Sequence, residues 1–187
     1  FETTNLCLQV YGGHGYINEW GMEQFVRDAR INMIYEGTNG IQALDLLGRK
    51  VLMDGGKKFG RFARLVEGFL KESAARPELA ELTGPLGKLL ADTVALTAEI
   101  GAKAKSNPDE VGAASVPYLR IVGHLAYAWL WARMAALALD KADDDFYAAK
   151  LATARFYFAW LLPETEHQFR AARAGAPTLM SLDAALF

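Results

Sequence analysis

Apolar residues recur at helical spacing along nearly the whole chain. Met22, Phe25, Val26, Ala29 and Met33 follow the i, i+3, i+4, i+7 rule of an amphipathic helix. Leu44, Leu47 and Val51 resume it after a glycine turn. Phe59, Phe62, Ala63, Val66, Phe69 and Leu70 line another helix face, with Arg61, Arg64 and Glu67 off it. No alternating stretch long enough for a strand is present, and no internal repeat. The pattern predicts about seven helices and no sheet, an all-α antiparallel helical bundle. Alanine enrichment favours helix and lets neighbouring helices approach closely.

Starts and stops are legible. Asp54-Gly55-Gly56 is a break. Arg76-Pro77-Glu78 suits a helix start, because proline costs little at the first helical position and an acid complements the N-terminal dipole. Asn107 before Pro108-Asp109-Glu110 is a candidate cap. Asp143-Asp144-Asp145 precedes another helix, and Gly175-Ala176-Pro177 ends it. Pro163 kinks that helix or begins a new one. The break at Asp54-Gly55-Gly56 separates a glycine-motif region, 1–54, from an alanine- and aromatic-rich region, 55–187. Phe156, Tyr157, Phe158 and Trp160 cover all sides of their helix, which suits burial between helices or against another subunit. The apolar stretch from Ile121 to Leu139 is interrupted by His124 and Arg133 and reads as a buried helix, not a membrane span.

Composition narrows the classes. With 52% apolar residues, 187 positions are ample for a packed core. The formal net charge is −2 with both signs mixed, and no basic run suggests nucleic acid. Cys7 is the only cysteine, so no intramolecular disulfide is possible, which fits a reducing, cytoplasmic setting. His14, His124 and His167 lie far apart and show no metal-ligand spacing. Phe1 is followed by what reads as the interior of a helix, so the chain is expected to be a piece of a longer protein.

The chemistry concentrates in two segments. Tyr35-Glu36-Gly37-Thr38-Asn39-Gly40-Ile41-Gln42 sets one carboxylate at a glycine turn before a helix. An isolated Glu-Gly-Thr is more often a solvated residue at a helix start. A carboxylate base must reach its proton and works best when desolvated, and Ile34 and Tyr35 could supply an apolar wall. Gly37 would allow a thin substrate to approach the backbone. Asn39 with Gln42 fits a capping box. Upstream, Gln9-Val10-Tyr11-Gly12-Gly13-His14-Gly15-Tyr16 places glycines after a helix, not after a strand, so it is no dinucleotide fingerprint. By itself it is a tight turn whose free N–H groups could meet a phosphate or a ribose. His14 reads as a turn residue rather than an acid or base, Cys7 as a small, inert buried thiol, and Arg27 and Asp28 as ion-pairing or packing residues.

Taken together and in this order, the two segments, with Arg27-Asp28-Ala29-Arg30 between them, resemble the C-terminal signature of the acyl-CoA dehydrogenase family. The resemblance covers roughly Asn5 to Val51. It implies that Glu36 is the base that removes the proton alpha to a thioester and that its main-chain N–H helps bind the thioester oxygen. Gly37, with Tyr35, would lie against the acyl-CoA. It implies FAD as cofactor, contacted by Gln9, Val10, Tyr11, Gly12 and Gly13 from a neighbouring subunit and by Thr38, Asn39 and Gly40 in the same one. Gly40 departs from the larger polar residue common there. An acyl-CoA substrate, an electron-transferring flavoprotein and a homodimer or higher homo-oligomer are the implied partners, and trans-2-enoyl-CoA in beta-oxidation the implied product. The region after Gly55 resembles the C-terminal helical extension of a bacterial subgroup of the family, through Ala154-Arg155-Phe156-Tyr157-Phe158, Leu161 to Thr165 and Leu179-Met180. An acyl-CoA oxidase, or a purely structural helical dimerisation module, are the competing readings.

Overall fold

The computed structural model describes residues 1–186, and no strand occurs among them. The helices are α1 (Glu2–Val10), α2 (Gly13–Tyr16), α3 (Met22–Ile31) and α4 (Asn39–Leu44), then a π-helical stretch (Asp45–Leu52). They continue with α5 (Lys57–Ser73), α6 (Ala80–Lys103), α7 (Asp109–Ala138), α8 (Asp145–Phe156), a second π-helical stretch (Tyr157–Leu161), α9 (Glu164–Ala174) and α10 (Pro177–Met180). The fold is all-α, as the apolar spacing predicts, with more short helical pieces than about seven. The chain divides into two compact units, Phe1–Gln42 and Ala43–Phe187. The predicted break at Asp54-Gly55-Gly56 is a turn between the first π-helical stretch and α5.

Several helix ends form for the reasons the sequence offers. Asp54 accepts from the N–H groups of Lys57 and Lys58, both at 3.1 Å, and so caps α5. Asn107 Oδ1 accepts from Asp109 N–H at 3.1 Å, and Asp144 Oδ1 from Phe146 N–H at 2.8 Å. Pro77 opens a 3-10 turn (Pro77–Leu79) that leads into α6. Pro163 directly precedes α9 and begins it, so the aromatic helix stops there.

The second unit is organised around α7. Its inner face carries Tyr118, Ile121, Leu125, Ala128, Ala132 and Ala135, each with no exposed surface. Against it pack α6, α8 and α9, with Leu86, Leu96 and Val66 fully buried alongside. Burying each leucine contributes about 1.5–3 kcal/mol, and the four alanines at 128, 132, 135 and 138 let backbones come close. A polar contact joins α6 to α7 within this core: the Thr97 and Tyr118 hydroxyls lie 2.8 Å apart. Burial pushes the Tyr118 phenol up to about 12. By length and composition alone the stretch Asp109–Lys141 could span a membrane. Its buried inner face makes it the central helix of a bundle.

The π-helical stretch Tyr157–Leu161 seats Tyr157 in the interior. Its hydroxyl lies 2.8 Å from His124 Nδ1, while His124 Nε2 lies 3.4 Å from Glu164. Glu164 takes a two-pronged contact from Arg120 at 2.5 and 2.8 Å and a bond from Gln168 at 2.9 Å. The Arg120 guanidinium holds the Glu164 carboxyl down at about 2. The aromatic run is not buried all round: Tyr157 is interior, but Phe156 is 53% and Trp160 75% exposed.

Two outcomes test this packing. Tyr118→Phe should lower the unfolding free energy in urea by about 1 kcal/mol, the net worth of one buried hydrogen bond. An unchanged midpoint would show that Thr97 and Tyr118 are not coupled. Glu164 has a depressed folded pKa, so its stabilisation is present above the ordinary carboxylate value of 4.5 and fades as pH falls towards about 2. The stability difference between the native chain and Glu164→Gln should therefore narrow between about pH 5 and pH 3. A constant difference would contradict the Arg120–Glu164 assignment.

Candidate active site

The first unit builds both glycine motifs. α1 ends at Val10, and Gly12 N–H closes the turn onto Gln9 O at 3.0 Å. Gly12 then takes φ +59, a left-handed value that glycine adopts without steric cost. A Cβ placed on Gly15 would stand 2.5 Å from Leu8 O, so this glycine is required by packing. At Gly12 and Gly13 a Cβ would meet nothing within 4 Å, so their backbone faces open space. Gln9, Val10 and Tyr11 stand exposed at the end of α1. His14 lies edge-on to Trp20 at 5.3 Å, as a turn residue would.

The second motif follows α3. Glu36 has φ +52 and is the one non-glycine residue in left-handed backbone among those described. Such a conformation costs about 1–2 kcal/mol in an ordinary side-chain residue. Gly37 follows at φ +85. The pair turns the Glu36 carbonyl towards the start of α4, where Gln42 Nε2 donates to it at 3.0 Å. A Cβ on Gly37 would stand 2.8 Å from that same nitrogen. Thr38 Oγ1 accepts from Ile41 N–H at 3.4 Å, and Asn39 N–H reaches back to Met33 O at 3.3 Å. The capping box expected of Asn39 and Gln42 is therefore not formed. Thr38 caps the helix, and Gln42 is drawn instead to the carbonyl that the left-handed pair presents.

The expected apolar wall is open. The Glu36 side chain is exposed, with Ile34 at 50% and Tyr35 at 48% exposure. The Tyr35 hydroxyl donates to Asn32 Oδ1 at 2.7 Å. Thr38, Asn39 and Gly40 are also exposed. Asp28 accepts from Gln24 at 2.7 Å, and no hydrogen bond links residues 9–13 to residues 35–40 among the described residues. Only Gly15 is buried between Phe1 and Gln42. Leu6, Tyr16, Trp20 and Phe25 are each more than half exposed, so the amphipathic helices here close no core of their own. Sequence reasoning did not foresee the Gln42 contact. The signal for it was a glutamine within side-chain reach of a Glu-Gly pair.

Two family models together match residues 1–183: "Acyl-CoA dehydrogenase, C-terminal domain" over residues 1–64, and "Acetyl-CoA dehydrogenase C-terminal like" over residues 62–183. The chain belongs to the acyl-CoA dehydrogenase family. It is 42% identical to 3-methylmercaptopropionyl-CoA dehydrogenase of Ruegeria pomeroyi over 87% of this chain and 29% of that protein. It is 32% identical to the broad-specificity linear acyl-CoA dehydrogenase FadE5 of Mycobacterium tuberculosis over 96% of this chain and 32% of that protein. A butyryl-CoA dehydrogenase of Syntrophomonas wolfei is 30% identical over 86% of this chain and 28% of that protein. The chain thus spans about 30% of the length of these relatives.

The turn geometry yields a direct expectation. Gln42→Ala should speed amide exchange at Asn39 and Gln42 about fivefold, the equivalent of one hydrogen bond of ~1 kcal/mol. Unchanged exchange at both amides would show that the side chain does not hold the turn.

Proposed function

We propose that this chain is the C-terminal part of a flavin-dependent acyl-CoA dehydrogenase, and that Glu36 is its base. The observation that supports this most is the left-handed Glu36, braced by Gln42 at 3.0 Å and by the Thr38 cap. Backbone held in a costly conformation by such bracing is a mark of functional positioning. Residues 1–54 would form part of the catalytic helical domain, and residues 55–187 a helical extension.

In this reading the Glu36 carboxylate takes the proton from the carbon alpha to the thioester of an acyl-CoA. Its main-chain N–H donates to the thioester oxygen, where negative charge gathers as the proton leaves. Gly37 and Tyr35 flank the acyl group. The left-handed turn matters because it fixes carboxylate and N–H together on one short segment. Desolvation of Glu36, which would raise its basicity, comes from segments of the parent beyond this chain.

FAD is the cofactor the reading requires. Gly12 and Gly13 fit it, because their backbone opens onto space that no side chain of this unit fills. Gln9, Val10, Tyr11, Gly12 and Gly13 would hold the flavin of a neighbouring subunit, and Thr38, Asn39 and Gly40 that of their own. When bound, the flavin supplies the hydride acceptor for the beta carbon, so the product is a trans-2-enoyl-CoA. Electron-transferring flavoprotein as acceptor, a homodimeric or larger parent, a cytoplasmic location and a place in beta-oxidation complete the proposal.

The test uses the full-length parent, mixed anaerobically with a panel of acyl-CoAs while flavin absorbance is followed. Glu36→Gln should slow bleaching by about 10²–10⁴-fold with FAD still bound. Bleaching at the native rate in that variant would remove Glu36 as the base.

A further inference from the structure

Among the described residues, a single hydrogen bond ties the chain beyond α9 to the bundle. α9 itself is fixed as far as its last turn. Arg173 is gripped by Glu99 at 2.9 and 3.1 Å, and its carbonyl accepts from Lys103 Nζ at 3.4 Å. Gly175 then takes φ +72, a left-handed value that glycine adopts without steric cost. Past it, Pro177 starts the four-residue α10. The bonds from Met180 N–H to Ala176 O, from the Ser181 hydroxyl to Thr178 O and from Leu186 N–H to Asp183 O all stay inside the segment. Only the N–H of Ala176 reaches out, to Glu110 Oε1 at 3.3 Å.

Glu110 is an unusual anchor. It lies in the first turn of α7 and is 9% exposed. A carboxylate so buried is normally paired with a cation or held by several donors. Glu110 has neither among the described residues. Its one side-chain bond is the one to Ala176, and 3.3 Å is long for N–H···O. Arg173, two residues before Gly175, is engaged by Glu99. The dipole at the start of α7 offsets part of the cost of burying the charge, but not the loss of its water. A Cβ on Gly175 would stand 2.7 Å from Glu110 Oε2, so the carboxylate fits only against a glycine.

Two effects oppose each other here. Closed, the segment buries Ala176 to 1% exposure and keeps its N–H bonded. Released, it returns the Glu110 carboxylate to water, where the charge is best solvated. The apolar side chains of the segment add little to closure, with Leu179 67% and Met180 64% exposed. They form one wall of a cavity of about 460 Å³, whose other sides include Leu44, Val111, Gly112 and Val116. We propose that residues 176–186 are a strap that swings on Gly175 and is clasped to α7 by Glu110. The strap is poised close to balance between a closed and a released state, and its release opens the cavity beside Leu44.

Hydrogen exchange at the Ala176 and Met180 amides of the 187-residue chain tests it, with the Leu125 and Ala128 amides of α7 as internal standard. An ordinary hydrogen-bonding anchor is weakened when its charge is removed. A clasp limited by charge burial is tightened instead, because an amide keeps the acceptor and costs less to bury. Glu110→Gln should therefore slow exchange at both strap amides by about fivefold or more. Glu110→Ala, which removes the acceptor, and Gly175→Ala, which crowds the carboxylate and strains the swivel, should each speed it by about fivefold or more. Leu125 and Ala128 should not change in any variant. Unchanged or faster exchange in Glu110→Gln overturns the poise between the two states. Unchanged exchange in Glu110→Ala overturns the clasp. If Glu110→Ala also speeds the α7 amides, Glu110→Gln and Gly175→Ala decide, since both keep an acceptor at position 110.

Discussion

The burial of the inner face of α7 is the constraint on which the second unit depends. Tyr118, Ile121, Leu125 and the alanines at 128, 132 and 135 have no exposed surface, and α6, α8 and α9 all pack on that helix. Leucine supplies the apolar area and alanine the closeness. A part-buried polar pair, Thr97 with Tyr118, ties α6 to α7, because the buried Tyr118 hydroxyl left without its partner is costly. Arg120, His124, Tyr157 and Glu164 add a second lock between α7 and the π-helical turn ahead of α9.

The first unit is built on the opposite plan. Its helices are amphipathic, yet between Phe1 and Gln42 only Gly15 is buried. What it does define is local: a left-handed Glu36, a glycine after it, and a glutamine folded back on the turn. Such a turn needs no core, since every bond that holds it lies within about ten residues of Met33. The chemistry proposed for Glu36 does need surroundings, because an exposed carboxylate is a weak base. One segment therefore carries the positioning, and in the proposed reading the environment comes from outside these residues, as the relatives that the chain matches are about three times its length.

Much of the fold was legible because helices write their period into the sequence. The caps at Asn107 and Asp144 and the break at Asp54-Gly55-Gly56 were readable for the same reason, as short polar side chains and glycines have few other roles at such places. The Glu36 turn was readable as a candidate site only as a combination of two motifs, since Glu-Gly-Thr alone is commonplace. The true partners of Thr38 and Gln42 were not readable. They depend on φ at Glu36, and a positive φ at a glutamate leaves no mark in the sequence. The exposed apolar residues of α7, among them Tyr127, Leu130 and Leu137, were hidden as well. An apolar helix with two apolar faces reads as buried all round, and only the structure shows that one face is open.

Limited trypsin digestion, comparing the 187-residue chain with its parent, tests most directly whether the Glu36 turn stands on a segment completed from elsewhere. The account predicts rapid cleavage after Arg27 and Arg30 in the chain alone and protection of both sites in the parent. Arg120 and Arg133 on α7 should resist equally in the two. Equal resistance at Arg27 and Arg30 in both proteins would contradict it, and would mean that residues 1–42 form a stable unit by themselves.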